Sequence, residues 1–240
     1  MSSPLANPSK SALDNALIGT HRALSHGHRV NVLAERIAAI VARLPVPRPS
    51  CLDIGCGDLT IASQIESKVK GSSWQGVDIH PASAEAVLGS AWSRYSQFDG
   101  ERLPFPDRRF DVGLLCDVLH HVDTTQQTRL LRDALRCCKF VIVKDHFEYG
   151  QWSRQFLRLM DFVGNYGYGI GVPGRYFSKQ SFEEAVAQAG GAVQQMEVGC
   201  ELYDHLPLVR SVLRPEWHFM AVVNRGGCSS EPNVGEPAER

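Results

Sequence analysis

No charge of either sign dominates this chain. Its 25 lysines and arginines stand against 26 aspartates and glutamates, so the basic footprint that nucleic acid requires is missing. Long apolar runs are missing too, since none approaches the roughly 20 residues that cross a bilayer. Met1 to Lys10 shows neither the basic n-region nor the apolar h-region of a secretory signal. The expectation is a protein with no nucleic-acid partner and no membrane association, at work in the cytoplasm.

Paired cysteines are lacking as well. Cys51, Cys56, Cys116, Cys137, Cys138, Cys200 and Cys228 are odd in number and mostly embedded in apolar runs, which argues for structural thiols rather than a disulfide framework. Adjacent Cys137 and Cys138 cannot reproduce the two-residue gap of a zinc knuckle. His21, His26 and His28 read as helix-surface or turn residues, so no metal ligand is assigned. No internal repeat is visible.

What is present is an ordinary globular mixture, 43% apolar and 21% charged, sufficient for one core. Val30, Leu33, Ala34, Ile37, Val41 and Leu44 recur at helical spacing and stop at Pro45-Val46-Pro47. With a further helical segment over Ser11 to Leu24, residues 1–47 read as a helical cap. Strand and helix then alternate: strands at Ser50 to Ile54, Trp74 to Ile79, Arg94 to Phe98, Phe110 to Cys116 and Phe140 to Val143, with helices at Leu59 to Lys70, Pro81 to Leu88 and Thr124 to Cys137. Such alternation predicts a parallel sheet covered on both faces.

A helix over Gln151 to Phe162 precedes a glycine-rich stretch from Gly164 to Gly171, and the region 147–177 reads as a substrate lid. Ser178 caps another helix, and strands at Ala192 to Leu202 and Trp217 to Asn224 complete seven. The α/β domain is thus expected over 48–225. Residues 226–240, mostly Gly, Ser, Pro and Glu, carry too little apolar surface to offset ordering entropy and read as a disordered tail.

Leu52-Asp53-Ile54-Gly55-Cys56-Gly57-Asp58 follows the first strand and opens a helix, the setting of a nucleotide-binding glycine loop. Glycine permits a tight turn and close backbone approach to a ligand. Asp78 ends the second strand, 25 residues after Asp53, where a carboxylate can accept ribose hydroxyls. Taken alone, the same residues also suit a plain strand-to-helix turn with a helix cap. A Rossmann dehydrogenase would need a third glycine where this chain has Thr60.

Two further motifs add specificity: Phe98-Asp99-Gly100-Glu101-Arg102-Leu103-Pro104-Phe105-Pro106-Asp107, leading into Arg109-Phe110-Asp111-Val112, and Asp117-Val118-Leu119-His120-His121-Val122 after the fourth strand. With these, Cys51 to about His146 resembles the type 11 group of class I S-adenosylmethionine (SAM)-dependent methyltransferases. The resemblance implies a Rossmann-like α/β fold, a seven-stranded mostly parallel sheet with an antiparallel last strand. It also implies SAM as cofactor, with Asp53, Gly55 and Gly57 under its methionine part, Asp78 on the ribose, Asp99 and the Gly100 amide at the adenine, and Cys116 lining the sulfonium site. Ile79 and His121 join this cofactor set, and Arg29 is a candidate for the methionine carboxylate. One departure is Leu59, where many members carry another glycine.

Methyl transfer from a sulfonium needs alignment and often a base for the acceptor proton. Carboxyl ends of parallel strands face the ligand crevice, which selects His120, His121, Lys144, Asp145 and His146. Because side chains alternate along a strand, only one of Asp145 and His146 is expected to face the substrate. Asp145 is assigned to accept from a substrate amine and His146 to act as base or structural partner, with His120 a further catalytic candidate. Of the aromatic residues between Phe147 and Phe177, Phe156 and Phe162 are expected in the core, and Tyr166, Tyr168 and Tyr176 on a flap over the site, with Tyr176 also a catalytic candidate. A ring face there would stabilise a sulfonium by about 1–2 kcal/mol. Three functions are compatible: methylation of a small acceptor; cyclisation of SAM, as in the similar azetidine-2-carboxylate synthases of natural-product clusters; and SAM binding without catalysis by a regulatory protein.

Overall fold

The computed structural model of the chain describes residues 27–81, 94–165, 171–202 and 214–226. Its sheet has seven strands: β1 (Ser50–Ile54), β2 (Ser73–Asp78), β3 (Tyr95–Gln97), β4 (Phe110–Cys116), β5 (Cys138–His146), β6 (Gly191–Val198) and β7 (His218–Arg225). The order is β3-β2-β1-β4-β5-β7-β6. All neighbours pair in parallel except β7, which inserts antiparallel between β5 and β6. The expected seven-stranded, mostly parallel sheet is therefore present. Its strand order reverses between β1 and β4, and open sheets of this kind bind ligands beyond the carboxyl ends of their strands at that point.

Helices cover both faces because the central strands are apolar on both. On one side α1 (Gly27–Arg43) presents Leu33, Ile37 and Val41 to Leu59, Ala62 and Ile65 at and within α2 (Thr60–Lys68). On the other, Leu131 and Leu135 of α3 (Thr124–Cys137) and Phe182 of α5 (Lys179–Gln188) meet Val141, Val143 and Phe219. Phe147 stacks on Phe219, centroids 3.9 Å apart. Helix α4 (Gln151–Asn165) lies outside these layers, joined through a small cluster of Leu157, Tyr176 and Trp217.

Capping follows local chemistry. Asp123 and Gln126 form a reciprocal capping box at α3, and Ser178 with Ser181 forms another at α5, each satisfying orphan amides of a first turn. Strand β5 extends beyond the apolar run Phe140 to Val143 because β7 supplies backbone partners as far as His146. The helices expected at Ser11 to Leu24 and Pro81 to Leu88 lie in full or in large part outside the described residues, as do Tyr166, Tyr168, Cys228 and nearly all of the tail. The six described cysteines are free thiols. Among the described residues no helix is long and apolar enough to cross a membrane.

Candidate active site

The glycine loop joins β1 to α2 at the switch point. Gly55 has φ +75°, and a Cβ there would stand 2.5 Å from Val118 Cγ2, so the loop and the turn after β4 can meet only across a glycine. Gly57, at φ +52°, faces open space, with nothing within 4 Å of the point a Cβ would occupy. Its amide donates to Asp78 Oδ2 at 3.0 Å, while His80 N donates to Asp78 Oδ1 at 3.0 Å. The Asp78 carboxylate is thereby oriented by two backbone donors at the end of β2. Leu59 adopts a left-handed φ of 61° immediately before α2 and is buried, filling the space beside Gly76.

Asp53 is buried, and desolvation, then the charges of Asp78 and Asp58, push its carboxyl up to about 7. A cluster of carboxylates that resists its own ionisation is a complement for a cationic ligand. Opposite, Ile79 is half-exposed and lies against Gly100, whose φ is +82°. Asp99 Oδ1 accepts from the amides of Glu101 and Arg102, bonds that hold its carboxyl below the usual range. Cys116 ends β4, and burial raises its thiol beyond ordinary titration. Asp53, Gly55, Gly57, Asp78, Ile79, Asp99, Gly100 and Cys116 thus line the carboxyl edge of β1, β2, β3 and β4.

Arg29, the candidate for a methionine carboxylate, lies at the turn after β4. Its guanidinium pairs with Asp117 Oδ2, pinning α1 to the turn after β4, because a buried carboxylate draws the nearest flexible cation. Asp117, at φ +57°, also receives the ammonium of Lys144 at 2.5 Å, and Lys144 is fully buried. Burial would raise the Asp117 carboxyl, but Lys144 and then Arg29 hold it well below the usual range.

Beside this lies a second cluster. His120, in a 3₁₀ turn over Leu119–His121, shares a hydrogen bond through Nδ1 with Asp145 Oδ1 at 2.7 Å. The amide of His146 donates to the same oxygen at 2.7 Å. His146 Nδ1 is 3.5 Å from Asp117 Oδ1 and 3.6 Å from Asp145 Oδ1. Strand alternation predicts that Asp145 and His146 diverge, yet both converge here, because the strand ends and the carboxylate folds back onto the next amide. Donor atoms of Asp117, His120, Asp145 and His146 lie within 4.8 Å of one another, a grouping the sequence did not reveal; the cations on its carboxylates are Arg29, Lys144 and His120.

Burial alone would lower His120, but Asp145 and then Asp161 raise it, whereas burial and then the neighbouring Lys144 keep His146 well below its ordinary value. His121 is lowered by burial and by His120. His120 and His121 line a cavity of about 390 Å³ closed by Gln127, Gly171, Val172 and Arg175, and His121 Nδ1 lies 3.3 Å from the Gly171 carbonyl.

Tyr176 is not a flap residue. It is 6% exposed, its ring 5.5 Å from that of His120, and its hydroxyl donates to Asp161. The apolar contacts with Leu157 and Trp217 outweigh the flexibility suggested by nearby glycines. Phe162, expected in the core, is 52% exposed; Phe147 and Phe177 are the lid-region rings that enter it. Asp161 and Asp117 are the site residues that sequence reasoning missed. The available signal for Asp161 was a lone carboxylate between Met160 and Phe162, and for Asp117 its place next to the last residue of an apolar strand.

Residues 52–140 match the family described as a methyltransferase domain. No curated protein matches the chain in sequence. Among solved structures it is similar to the mitomycin 7-O-methyltransferase MmcR, with 19% identity and a TM-score of 0.58, over 81% of this chain and 53% of that one. The chain therefore spans little more than half the length of that protein. A SAM-dependent methyltransferase of Methanosarcina mazei is similar at 18% identity and a TM-score of 0.57, over 78% of this chain and 96% of the other. An O-methyltransferase of neocarzinostatin biosynthesis, in complex with S-adenosyl-L-homocysteine and 1,4-dihydroxy-2-naphthoic acid, has 16% identity and a TM-score of 0.53, over 89% and 57% of the two chains. The architecture is the class I methyltransferase fold.

Proposed function

We propose that this protein transfers a methyl group from SAM to a small molecule held in the cavity beside His120. The carrying observation is the His120–Asp145 pair. With Nδ1 bound to a buried carboxylate at 2.7 Å, the imidazole has a fixed orientation, and Nε2, which makes no hydrogen bond and has Asp161 Oδ2 3.5 Å away, is the nitrogen that would take an acceptor proton. Asp53, Gly55, Gly57, Asp78, Ile79, Asp99, Gly100 and Cys116 are the residues that would hold SAM. The open space at Gly57 and the carboxylates around Asp53 fit a cationic nucleoside.

The cofactor supplies an electrophilic methyl carbon. His120 Nε2 would take the proton that the acceptor loses on methylation, the leaving sulfur keeping the carbon–sulfur electron pair. Asp145 stabilises the imidazolium that results. His121 and the Gly171 carbonyl bound the cavity. Asp145 Oδ1 accepts from His120 and the His146 amide and so orients the base, while its Oδ2 is buried without a hydrogen-bond partner and is the oxygen that would meet a substrate amine.

Incubation with SAM, alone and with a panel of small hydroxyl and amine acceptors, tests this. S-adenosylhomocysteine appearing only when an acceptor is present is the expected result. Methylthioadenosine and a cyclic imino acid from SAM alone would replace the reading with cyclisation, and tight binding without turnover would replace it with a regulatory role.

A further inference from the structure

We infer that Asp161 is a positioning residue that holds the wall of the acceptor cavity in register with His120. The inference rests on the methyl-transfer reading for its purpose, but on geometry for its content. Asp161 belongs to α4, outside the main layers, and its side chain is 14% exposed. One oxygen, Oδ2, accepts from the Tyr176 hydroxyl and lies 3.5 Å from His120 Nε2, an ion-pair distance that leaves room for adjustment. Tyr176 directly follows Arg175, the end of the segment that closes the cavity, and its amide donates to Glu148 Oε2 at 3.1 Å.

Through one carboxylate, then, the floor of the cavity and the anchor of its wall share a partner. Helix α4 is attached through a cluster of Leu157, Tyr176 and Trp217 with Phe156 and Met160 against it, while Phe177, next to Tyr176, is anchored in the main core and bridges Phe147. Residues 171–175, N-terminal to these anchors, are mostly exposed, so the Tyr176–Asp161 tie bears on how that stretch is held. His120 is faced by Asp145 and His146 from β5, by Asp117 and His121 from its own loop, by Asp161 from α4, and by the Tyr176 ring. Of the three carboxylates, Asp161 alone comes from the outer segment, so it is the charged link between the wall and the imidazole, beside the Tyr176 ring contact and the His121–Gly171 contact.

The test uses the full chain loaded with S-adenosylhomocysteine and needs no turnover, so its failure is separable from failure of the methyl-transfer reading. In Asp161→Asn, hydrogen exchange at amides 171–177 is expected to quicken by about tenfold or more. The nitrogen-detected titration of His120 should move down by about half a pH unit or more, since a carboxylate that favours the imidazolium is gone, while affinity for S-adenosylhomocysteine stays as in the parent protein. Tyr176→Phe, which removes only the hydroxyl, should quicken exchange without moving the His120 titration as far, and it serves if Asp161→Asn does not fold. Unchanged exchange at 171–177 in a folded Asp161→Asn, or in Tyr176→Phe should that variant alone be available, overturns the assignment.

Discussion

Lys144 Nζ and Asp117 Oδ1 lie 2.5 Å apart, and the lysine has no exposed surface at all. A buried ammonium survives only beside a compensating charge. Here that charge sits in a left-handed turn at the switch point, and Arg29 binds its other oxygen.

Removing either partner strands the other. Lys144→Met is expected to cost about 3 kcal/mol, the lower end for a broken buried pair because Arg29 remains on Asp117. Combining it with Asp117→Asn should recover at least about 1 kcal/mol relative to the sum of the single changes. Chemical denaturation of the three variants measures this coupling; strict additivity would show that the pair is not a unit.

Asp53 gives a proton-linked prediction. Its carboxyl sits near 7 in the free protein, so it is partly protonated at neutral pH. A sulfonium and an ammonium nearby favour the ionised form, so binding SAM should release a proton, and affinity should rise as pH rises through about 7. Calorimetry in buffers of different ionisation enthalpy reads the release directly. It should shrink for S-adenosylhomocysteine, which lacks the sulfonium charge, and vanish in Asp53→Asn.

The two loop glycines should separate stability from binding. Gly57→Ala meets no neighbour and pays only the left-handed backbone, about 1–2 kcal/mol. Gly55→Ala adds a collision with Val118 at 2.5 Å and should be the less stable of the two. If a ligand occupies the space beside Gly57, however, Gly57→Ala will weaken S-adenosylhomocysteine binding by about tenfold or more, roughly 1.4 kcal/mol. Equal affinity in Gly57→Ala and the parent would place the ligand elsewhere.

Histidines set the acid side of stability. Burial first, with Lys144 adding to it, depresses His146 and His218 well below 6.5. They stay neutral when folded but take up protons when unfolded, so stability is lost as pH falls through about 6.5, by up to about 1.4 kcal/mol per pH unit for each. His120 is raised and acts oppositely: its contribution is full below 6.5 and lost as pH rises through its folded value. Denaturation midpoints at pH 7 and pH 5 should therefore show a loss on acidification, and His146→Asn should reduce it.

Activity should follow the same imidazole. If His120 is the base, the acid limb of kcat/KM lies above 6.5, because Asp145 and then Asp161 favour its protonated form against burial. Asp145→Asn should move that limb down and lower the plateau by about 100-fold or more. A limb that does not move would transfer the role to another group.

Local chemistry made much of this protein legible from its residues. Ser50–Ile54, Phe110–Cys116 and Thr124–Cys137 stand where their apolar spacing and capping residues put them, because hydrophobic period and end caps act over a few neighbours. The glycine loop and Asp78 were readable for the same reason: a positive φ and a strand end are properties of a short stretch of chain. What tertiary structure alone decided were meetings between distant segments. Arg29 could reach Asp117 only once α1 was packed on the sheet, and Lys144 acquired its partner only where β4 and β5 lie side by side. Tyr176 passed from an expected flap to the interior, and Asp161 became its partner, because Leu157 and Trp217 closed around the ring. Burial energies and ion pairs depend on which surfaces come together in space, and that information is spread over the whole chain instead of residing in any one motif.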